Sequence, residues 1–439
     1  MTFAVHISDS SRRLEGGRSY RMAGIRKLRI ALDCTNLKSQ QGIGTAVLAL
    51  ANALSASKSV DQEYTFIVPE ALQEWLRPHI SGPCQMVCIP LSRLSRLKKT
   101  LRAIAPLRFV WAMVGSKIMP IPVSGSIESR EFDLVHFPTP AACRTHLPSI
   151  YQPWDLQHLH YPQFFSKAEF VLRERSYRAF CAAATFVCVQ TEWSKQDVIE
   201  KYGISPAKVV VIRWGSVFDA YAAPSPQAKR DTVEKYRLPR QFFFYPAVTW
   251  PHKNHESIIR ALYLLKKEHG RTPGVYFTGA TTEFRAKLDV IARELGVLDQ
   301  LHYLGFVTPE ELQSVFASAT TMVFPSKFEG FGLPILEAFH ARLPVLSSNA
   351  TVLPEVAQDG AAYFDPDSPT ELAALMVRSL DDPVFRKSLT HKGSEVLTRF
   401  SMRDTATRFQ ALYARTAGQP SPERERLRQG ARSSVKEPA

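Results

Sequence analysis

The chain lacks any apolar run long enough to cross a membrane. Its 439 residues are 45% hydrophobic and 22% charged, as in ordinary globular proteins. No apolar run approaches the ~20 residues that a transmembrane helix requires. The arginines near the N-terminus are not followed by an apolar segment, so no secretory signal is predicted. We therefore expect a cytoplasmic protein.

Paired cysteines are also missing. None of the six cysteines forms a CxxC pattern, and Cys84 and Cys88 lie four positions apart without a nearby histidine. This spacing argues against the common zinc and redox motifs and favours reduced, buried thiols. We predict no metal site and no cofactor.

Acidic residues are fewer than basic residues, 41 against 55, which gives a net charge of +14. Such an excess points to a polyanionic partner, which could be nucleic acid, anionic lipid or a phosphorylated substrate. The chain shows no recognisable nucleic-acid-binding module. A non-enzymatic nucleic-acid-binding protein is therefore the least favoured interpretation, and no nucleic acid partner is expected.

The first predicted strand is not followed by the glycine fingerprint of dinucleotide-binding proteins. Residues Leu28–Asp33 read as a strand, and the loop after it carries Gly42 and Gly44, but Val47 stands at the third glycine position of GxGxxG. By themselves the two glycines predict a tight turn before a helix.

Strand and helix patterns alternate along the chain, and its length is that of two domains. This alternation predicts an α/β protein with two doubly wound, Rossmann-like sheets that face each other across a cleft. The predicted parts are a disordered N-terminal extension at 1–26, a first domain at 27–220, a second domain at 221–400, a last helix at 401–414 that returns to the first domain, and a disordered basic tail at 415–439.

Residues 91–120 combine leucines at helical spacing with a basic face and with Trp111. A helix of this kind can lie on an anionic membrane surface, which would place the protein peripherally on the inner face of the membrane. It can equally be an ordinary surface helix whose leucines face the core. Both interpretations stay open.

The most informative stretch is Thr320 to Glu337, which reads as a strand, a loop with two glycines, and a helix. Pro334 marks the start of the helix, because proline is favoured in the first turn. Gly330 and Gly332 precede that start, where free backbone N–H groups and the helix dipole favour a phosphate.

Two glutamates, Glu329 and Glu337, flank this glycine loop. Carboxylates would repel phosphates, so we expect them to accept hydrogen bonds from sugar or ribose hydroxyls. The combination predicts a nucleotide-sugar site. His136, in the predicted strand Phe132–Pro138, is a further candidate because carboxyl ends of parallel strands line ligand crevices.

The segment Phe324–Ala338 resembles the Glu-x7-Glu motif of retaining glycosyltransferase family 4, a family with the GT-B fold. The resemblance continues through Leu343–Asn349 and Leu353–Val356, and is strongest to bacterial enzymes that build surface polysaccharides. It implies an acceptor-side first domain and a donor-binding second domain.

The resemblance also assigns residues. It implies catalytic roles for Lys253, next to the donor diphosphate, and for Glu329. It implies a donor-binding group consisting of Gly330, Phe331, Gly332, Leu333, Glu337 and, as a tentative member, His252. It makes Gly42 and Gly44 candidates for the acceptor or diphosphate side. His136, from its place at a strand end, and Asp155 are the other candidates for that side, and Asp155 can equally have a structural role.

The sequence departs from the family pattern at two positions. Trp154 stands where the family usually has a histidine near the donor sugar, and tryptophan cannot accept a proton. Val248 stands where many members have an arginine, so Lys253 has no cationic partner five residues before it.

The resemblance implies a metal-independent, retaining hexosyltransferase whose donor is a nucleotide diphosphate sugar, with GDP-mannose favoured. Its acceptor would be a glycan or a lipid-linked sugar. The alternatives are a transferase that uses UDP-sugars and a nucleotide-sugar epimerase on the same fold.

Overall fold

A computed structural model describes residues 26–37, 42–90, 127 and 130–419 of the chain. The amphipathic segment predicted over 91–120 lies outside these residues. So do the N-terminal extension up to residue 25 and the tail beyond residue 419. In the described part, no helix is long and apolar enough to cross a membrane.

The first half of the described chain forms a parallel sheet with the strand order β3-β2-β1-β4-β5-β6-β7. Its strands are β1 Leu28–Asp33, β2 Gln62–Pro69, β3 Cys84–Ile89, β4 Leu134–Phe137, β5 Ser149–Tyr151, β6 Phe186–Val189 and β7 Val209–Val211. The helices described here are α1 Ile43–Ser55, α2 Gln73–Leu76, α3 Gln157–His160, α4 Lys167–Ala183 and α5 Glu192–Tyr202.

The second half forms a parallel sheet with the order β10-β9-β8-β11-β12-β13. Its strands are β8 Phe242–Tyr245, β9 Gly274–Thr278, β10 Leu301–Gly305, β11 Thr321–Phe324, β12 Val345–Ser348 and β13 Ala361–Phe364. Its helices are α6 Pro226–Lys235, α7 His255–His269, α8 Phe284–Glu294, α9 Pro309–Phe316, α10 Leu333–His340, α11 Leu353–Ala357, α12 Pro369–Asp381 and α13 Pro383–Leu397. The predicted architecture of two doubly wound sheets is confirmed.

The central strands are apolar on both faces because helices cover both sides of a parallel sheet. All four residues of β8, Phe242 to Tyr245, are fully buried, and so are three of the four residues of β4. The fourth residue of β4, Phe137, is 2% exposed. This burial fixes where each strand ends, and therefore where its following loop begins.

The last helix, α14 Met402–Ala417, follows the second sheet in sequence but packs on the first. Its Gln410 donates from Nε2 to the hydroxyl of Tyr64 at 3.0 Å and accepts at its carbonyl from Nε2 of Gln62 at 3.0 Å. The helix extends past residue 414, where the disordered tail was predicted to begin. Thr416 is fully buried, which explains why the helix continues to Ala417.

Candidate active site

The second sheet reverses its strand order between β8 and β11. Chain connections leave these two neighbouring strands in opposite directions, which opens a crevice at their carboxyl ends. The loop after β8 carries Lys253 at the end of a short 3₁₀ turn, and the loop after β11 carries Glu329. The topology therefore brings together two residues that are 76 positions apart in sequence.

Lys253 and Glu329 form an ion pair in this crevice. Lys253 Nζ donates to Glu329 Oε1 at 2.7 Å, and their side chains are 18% and 12% exposed. A lysine ammonium has three N–H donors, so this contact leaves others for a ligand. The pair is thus largely buried but still accessible to a ligand.

Hydrogen bonds hold the two loops against each other. The backbone N–H of Lys327 donates to the carbonyl of His252 at 2.8 Å. Asn254, which adopts a left-handed conformation with φ +55°, donates from Nδ2 to the carbonyl of Pro325 at 3.0 Å. Tyr245 at the end of β8 donates to the carbonyl of Lys253 at 2.9 Å. The Lys253–Glu329 geometry is therefore built into the backbone of both loops.

The glycine turn leads directly into α10. Gly332 has φ +95° and is the N-cap residue, with Pro334 in the first turn, as the sequence predicts. This backbone conformation favours glycine, and a Cβ here would also lie 2.9 Å from Leu353 Cδ2, so that side chain would have to shift. The first turn of α10 supplies the backbone amides and dipole end that favour an anion.

Gly330 lies where the two domains touch. A Cβ at this position would come 2.5 Å from the carbonyl oxygen of Trp154 and 3.2 Å from Cβ of Asp155, both in the first domain. The hydroxyl of Ser194 donates to the Gly330 carbonyl at 3.5 Å. The glycine turn of the second domain thus forms one wall of a crevice whose other wall is the first domain.

Further contacts hold the domains together beside the turn. The ring of Phe328 lies 5.1 Å from that of His160 and 5.7 Å from that of Trp193, between ring centroids. The carboxylate of Glu355 on α11 accepts from the N–H groups of Glu192 at 2.9 Å and Trp193 at 3.1 Å, at the start of α5. This charge-assisted cap stabilises the contact between the two domains, and we call the arrangement with this contact closed.

The two halves of the chain match two families of known domains. Residues 41–215 match the glycosyl transferase 4-like domain, and residues 228–396 match the glycosyl transferases group 1 family. Together the matches cover both sheets except β1. The chain therefore belongs to the glycosyltransferases that combine these two domains.

Over the segments that align, two curated relatives are about 30% identical to this glycosyltransferase. O-antigen chain mannosyltransferase B of Escherichia coli is 29% identical over 257 residues, which span 57% of this chain and 66% of the relative. The serotype-specific mannosyltransferase WbdA of Escherichia coli is 33% identical over 229 residues, 51% of this chain and 28% of the relative. The match thus covers less than two thirds of either relative.

Solved structures share the fold at much lower identity. HepE of Anabaena, solved with UDP and glucose, has a TM-score of 0.64 at 16% identity, covering 88% of this chain and 99% of that one. WaaG, a glycosyltransferase involved in lipopolysaccharide biosynthesis, has a TM-score of 0.61 at 15% identity, covering 89% of this chain and all of that one. These likenesses support the GT-B fold of the glycosyltransferase.

Glu337 lies on α10 and is 8% exposed. Burial raises the pKa of this carboxyl from 4.5 to about 8. Tyr221 stands close enough for the Glu337 charge to contribute, after burial, to raising the Tyr221 pKa to about 12. The Tyr221 hydroxyl has no hydrogen-bond partner among the described residues. A buried carboxyl beside an unpartnered hydroxyl suits a polyhydroxyl ligand.

Two residues predicted to bind the donor, His252 and Phe331, can make only limited contacts with it. His252 has its pKa lowered well below 6.5, first by burial and then by the charges of Lys253, His255 and Arg173. Its imidazole is therefore neutral at physiological pH. The side chain of Phe331 is 3% exposed and lies in the core near Phe400, so the glycosyltransferase presents only its backbone to the crevice.

The prediction that His136 lines the crevice is wrong for this arrangement. His136 is fully buried in β4. Its Nε2 lies 2.7 Å from Gln152 Oε1, to which it donates, and its Nδ1 lies 2.9 Å from the hydroxyl of Tyr413, from which it accepts. The pKa of His136 falls to about 3 because of burial. The returning helix α14 supplies Tyr413 and covers the face that His136 occupies.

Trp154 and Asp155 form the first-domain wall. Trp154 has φ +67°, which is unusual for a non-glycine residue, and its indole N–H donates to the carbonyl of Pro138 at 2.8 Å. The side chain therefore packs inward, while its carbonyl faces Gly330. Asp155 stays 27% exposed at the crevice, with Oδ1 accepting from the N–H of Gln157 at 3.0 Å.

In the first domain, Gly42 precedes helix α1 in the same way that Gly332 precedes α10 in the second domain. Gly42 has φ +58° and precedes α1, and a Cβ at this position would meet no atom within 4 Å. Gly44 is buried inside the first turn of the helix. Strands β1 and β4 are neighbours with diverging connections, so Gly42 lies at the reversal point of the first sheet.

Two residues of the crevice were missed by sequence reasoning. Glu355 falls in a segment that carries the family resemblance, yet only the fold shows that it caps α5 across the domain boundary. Arg173 is one of several charged residues on α4, and nothing in its spacing singles it out. Among the described residues, no group of three or more His, Cys, Asp and Glu is placed to hold a metal ion.

Proposed function

We propose that this glycosyltransferase is a retaining hexosyltransferase that transfers mannose from GDP-mannose to a glycan or lipid-linked acceptor during synthesis of a bacterial surface polysaccharide. The observation that carries the proposal is the Lys253–Glu329 pair at the strand reversal of the second sheet, beside the Gly330–Gly332 turn. The reaction would take place on the cytoplasmic side of the membrane.

The relatives support mannose as the sugar. Both Escherichia coli proteins described above are named mannosyltransferases, one of them for the O-antigen chain. HepE, in contrast, was solved with UDP and glucose, so a UDP-sugar is the competing donor class. Because HepE is only 16% identical, we base the choice of donor on the mannosyltransferases.

In the proposed reaction, the bond between the sugar C1 and the diphosphate oxygen breaks. Negative charge then develops on the leaving diphosphate. Lys253 and the amides at the start of α10 would stabilise that charge without a metal ion. Because the Lys253 ammonium has three donors, it can hold Glu329 with one and bind a phosphate oxygen with another.

Glu329 would orient the sugar hydroxyls, and Glu337 would bind the ribose diol of the nucleotide. We propose no protein nucleophile, since the Glu329 carboxylate is already paired with Lys253 at 2.7 Å. The acceptor hydroxyl would attack C1 from the face that the diphosphate leaves. Because the new C1–O bond forms on the face from which the diphosphate leaves, the original configuration is kept. The proton of the acceptor hydroxyl would pass to the departing phosphate oxygen.

A donor screen tests this proposal. The purified protein is mixed with GDP-mannose, UDP-glucose, UDP-GlcNAc and GDP-fucose, and binding is followed by thermal shift. We expect selective stabilisation by GDP-mannose that is lost in Glu337→Ala. Stabilisation by a UDP-sugar alone would overturn the choice of donor, and no response to any donor would overturn the proposed activity.

The contribution of the ion pair is tested separately by kinetics. Lys253→Ala should lower the transfer rate by about 100-fold or more, as expected for loss of one charged group of about 3 kcal/mol. A near-normal rate in Lys253→Ala would contradict its role.

A further inference from the structure

The loop after β8 supplies few positive charges for a diphosphate. Residues 246 to 254 contain one basic side chain besides His252, namely Lys253. His252 is held neutral by its surroundings. Glu329 cancels part of the Lys253 charge at 2.7 Å. A ligand with two phosphates would therefore meet a nearly neutral pair on this side of the crevice.

Arg173 brings a cation to the crevice from the first domain. It lies on α4, where its Nη2 donates to the hydroxyl of Tyr177 at 2.9 Å. Its guanidinium also stacks over the rings of Phe165 at 4.9 Å and Tyr177 at 5.2 Å. Two aromatic rings and a hydrogen bond fix the position of this group, which stays 28% exposed.

The contacts of Asp155 place the Arg173 guanidinium near the glycine turn. Asp155 Oδ1 and Arg173 Nη2 form an ion pair at 4.0 Å, which is too long for a hydrogen bond. The Cβ of the same Asp155 is 3.2 Å from the position that a Cβ on Gly330 would occupy. One short side chain therefore separates Arg173 from the turn that precedes the anion-favouring end of α10.

The electrostatics of His252 agree with this position of Arg173. The pKa of His252 is lowered by burial and by the charges of Lys253 and His255, and the positive charge of Arg173 adds to the same effect. The field of Arg173 thus reaches the residue next to Lys253, across the domain boundary. The distances around Asp155 and Gly330 locate Arg173, and its effect on His252 is consistent with them.

We propose that Arg173 binds phosphate oxygens of a substrate across the crevice, as a second cation beside Lys253. A guanidinium has five N–H donors in a planar fork that fits phosphate, and the contact with Tyr177 uses one of them. The inference rests on the proposed function, since it requires a phosphate-bearing substrate. The phosphate belongs either to the leaving diphosphate of the donor or to a phosphorylated acceptor.

Because Arg173 and Lys253 come from different domains, the complete phosphate site exists only while the domains are closed. The contacts of Glu355 with the start of α5 and of Gly330 with Trp154 maintain that arrangement. Substrate phosphate would then stabilise closure by attracting both cations.

The test uses the full chain with Arg173→Met, which keeps much of the side-chain length and removes the charge. The matched control is Arg178→Met on the same helix, where the guanidinium binds Glu174 at 2.6 Å and stacks over Tyr202. Dissociation constants for GDP and GMP are measured by titration calorimetry. Uridine nucleotides replace them if the donor screen selects a UDP-sugar.

If the phosphate is that of the donor, Arg173→Met weakens GDP binding by about 10- to 100-fold and leaves GMP binding unchanged. Arg173→Lys recovers part of the loss, because it retains the charge without the planar fork. Arg178→Met binds both nucleotides as the unmodified protein does. Should Arg173→Met fail to fold, Arg173→Gln serves in its place.

If the phosphate is that of the acceptor, GDP binding is unchanged in Arg173→Met. The KM for a mannoside with an alkyl diphosphate then rises by a similar factor, while the KM for the same mannoside with a plain alkyl group does not. Unchanged GDP affinity together with an unchanged KM for the diphosphate acceptor would overturn the inference and leave Arg173 as a structural residue of α4. Failure of the unmodified protein to bind any nucleoside diphosphate would instead overturn the proposed function itself.

Discussion

Donor binding should depend steeply on pH because of Glu337. In the absence of ligand, burial raises the pKa of this carboxyl to about 8, so most molecules carry it protonated at neutral pH. An ionised carboxylate can accept hydrogen bonds from both hydroxyls of a ribose, whereas a protonated one loses part of that capacity. If the donor binds the ionised form, binding must first remove a proton, and its affinity must rise with pH.

The size of the effect follows from the pKa of about 8. Glu337 would be about 1% ionised at pH 6, about 10% at pH 7 and about 50% at pH 8. An apparent dissociation constant equals the intrinsic one divided by the binding-competent fraction. The affinity for the donor should therefore increase about 50-fold between pH 6 and pH 8.

Titration calorimetry with GDP-mannose at pH 6, 7 and 8 measures this dependence, because the diphosphate of a sugar nucleotide does not titrate in that interval. Glu337→Gln keeps the size of the side chain and removes its ionisation. We expect weaker binding by this variant and no pH dependence. Equal affinities of the unmodified protein at pH 6 and pH 8, or the same slope in Glu337→Gln, would refute the reasoning.

Three further substitutions test the geometry. Gly330→Ala should lower the transfer rate by about 100-fold without unfolding the protein, because its Cβ would sit 2.5 Å from the Trp154 carbonyl; an unchanged rate would contradict the described contact. His136→Ala should cost about 2–4 kcal/mol in urea denaturation and leave the acceptor KM unaltered, since its partners lie in the core; a raised KM would restore the acceptor role. Glu355→Ala should increase the radius of gyration measured by X-ray scattering by loosening the cap on α5, and an unchanged radius would show that the cap does not hold closure.

The strand–turn–helix unit around Glu329 could be predicted because its determinants are local. Gly332 needs a positive φ, Pro334 suits the first turn, and both requirements are visible in neighbouring residues. The structure adds what no local pattern contains, namely that Lys253 pairs with Glu329 and that Gly330 meets Trp154. These contacts depend on the strand order and on the approach of the two domains.

The predictions that the structure corrects also concern contacts between residues far apart in sequence. Residue His136 could be assigned to a strand, but the face it occupies is covered by α14, almost 280 residues later in the chain. Strand β5 carries no local signal, because its three residues lie close to prolines and are defined by pairing with β4 and β6. The end of α14 was placed too early because the burial of Thr416 depends on packing against distant elements, which the residues next to it do not reveal.

The central claim is that the Lys253–Glu329 crevice catalyses sugar transfer, and one rate comparison tests it most directly. Release of GDP from saturating GDP-mannose is measured for the unmodified protein and for Lys253→Ala, with matched circular dichroism spectra as the check on folding. We expect measurable turnover by the unmodified protein, and a rate of GDP release that is lower by about 100-fold or more in Lys253→Ala. Equal rates in the two proteins, or no turnover by the unmodified protein with any of the four donors, would contradict it.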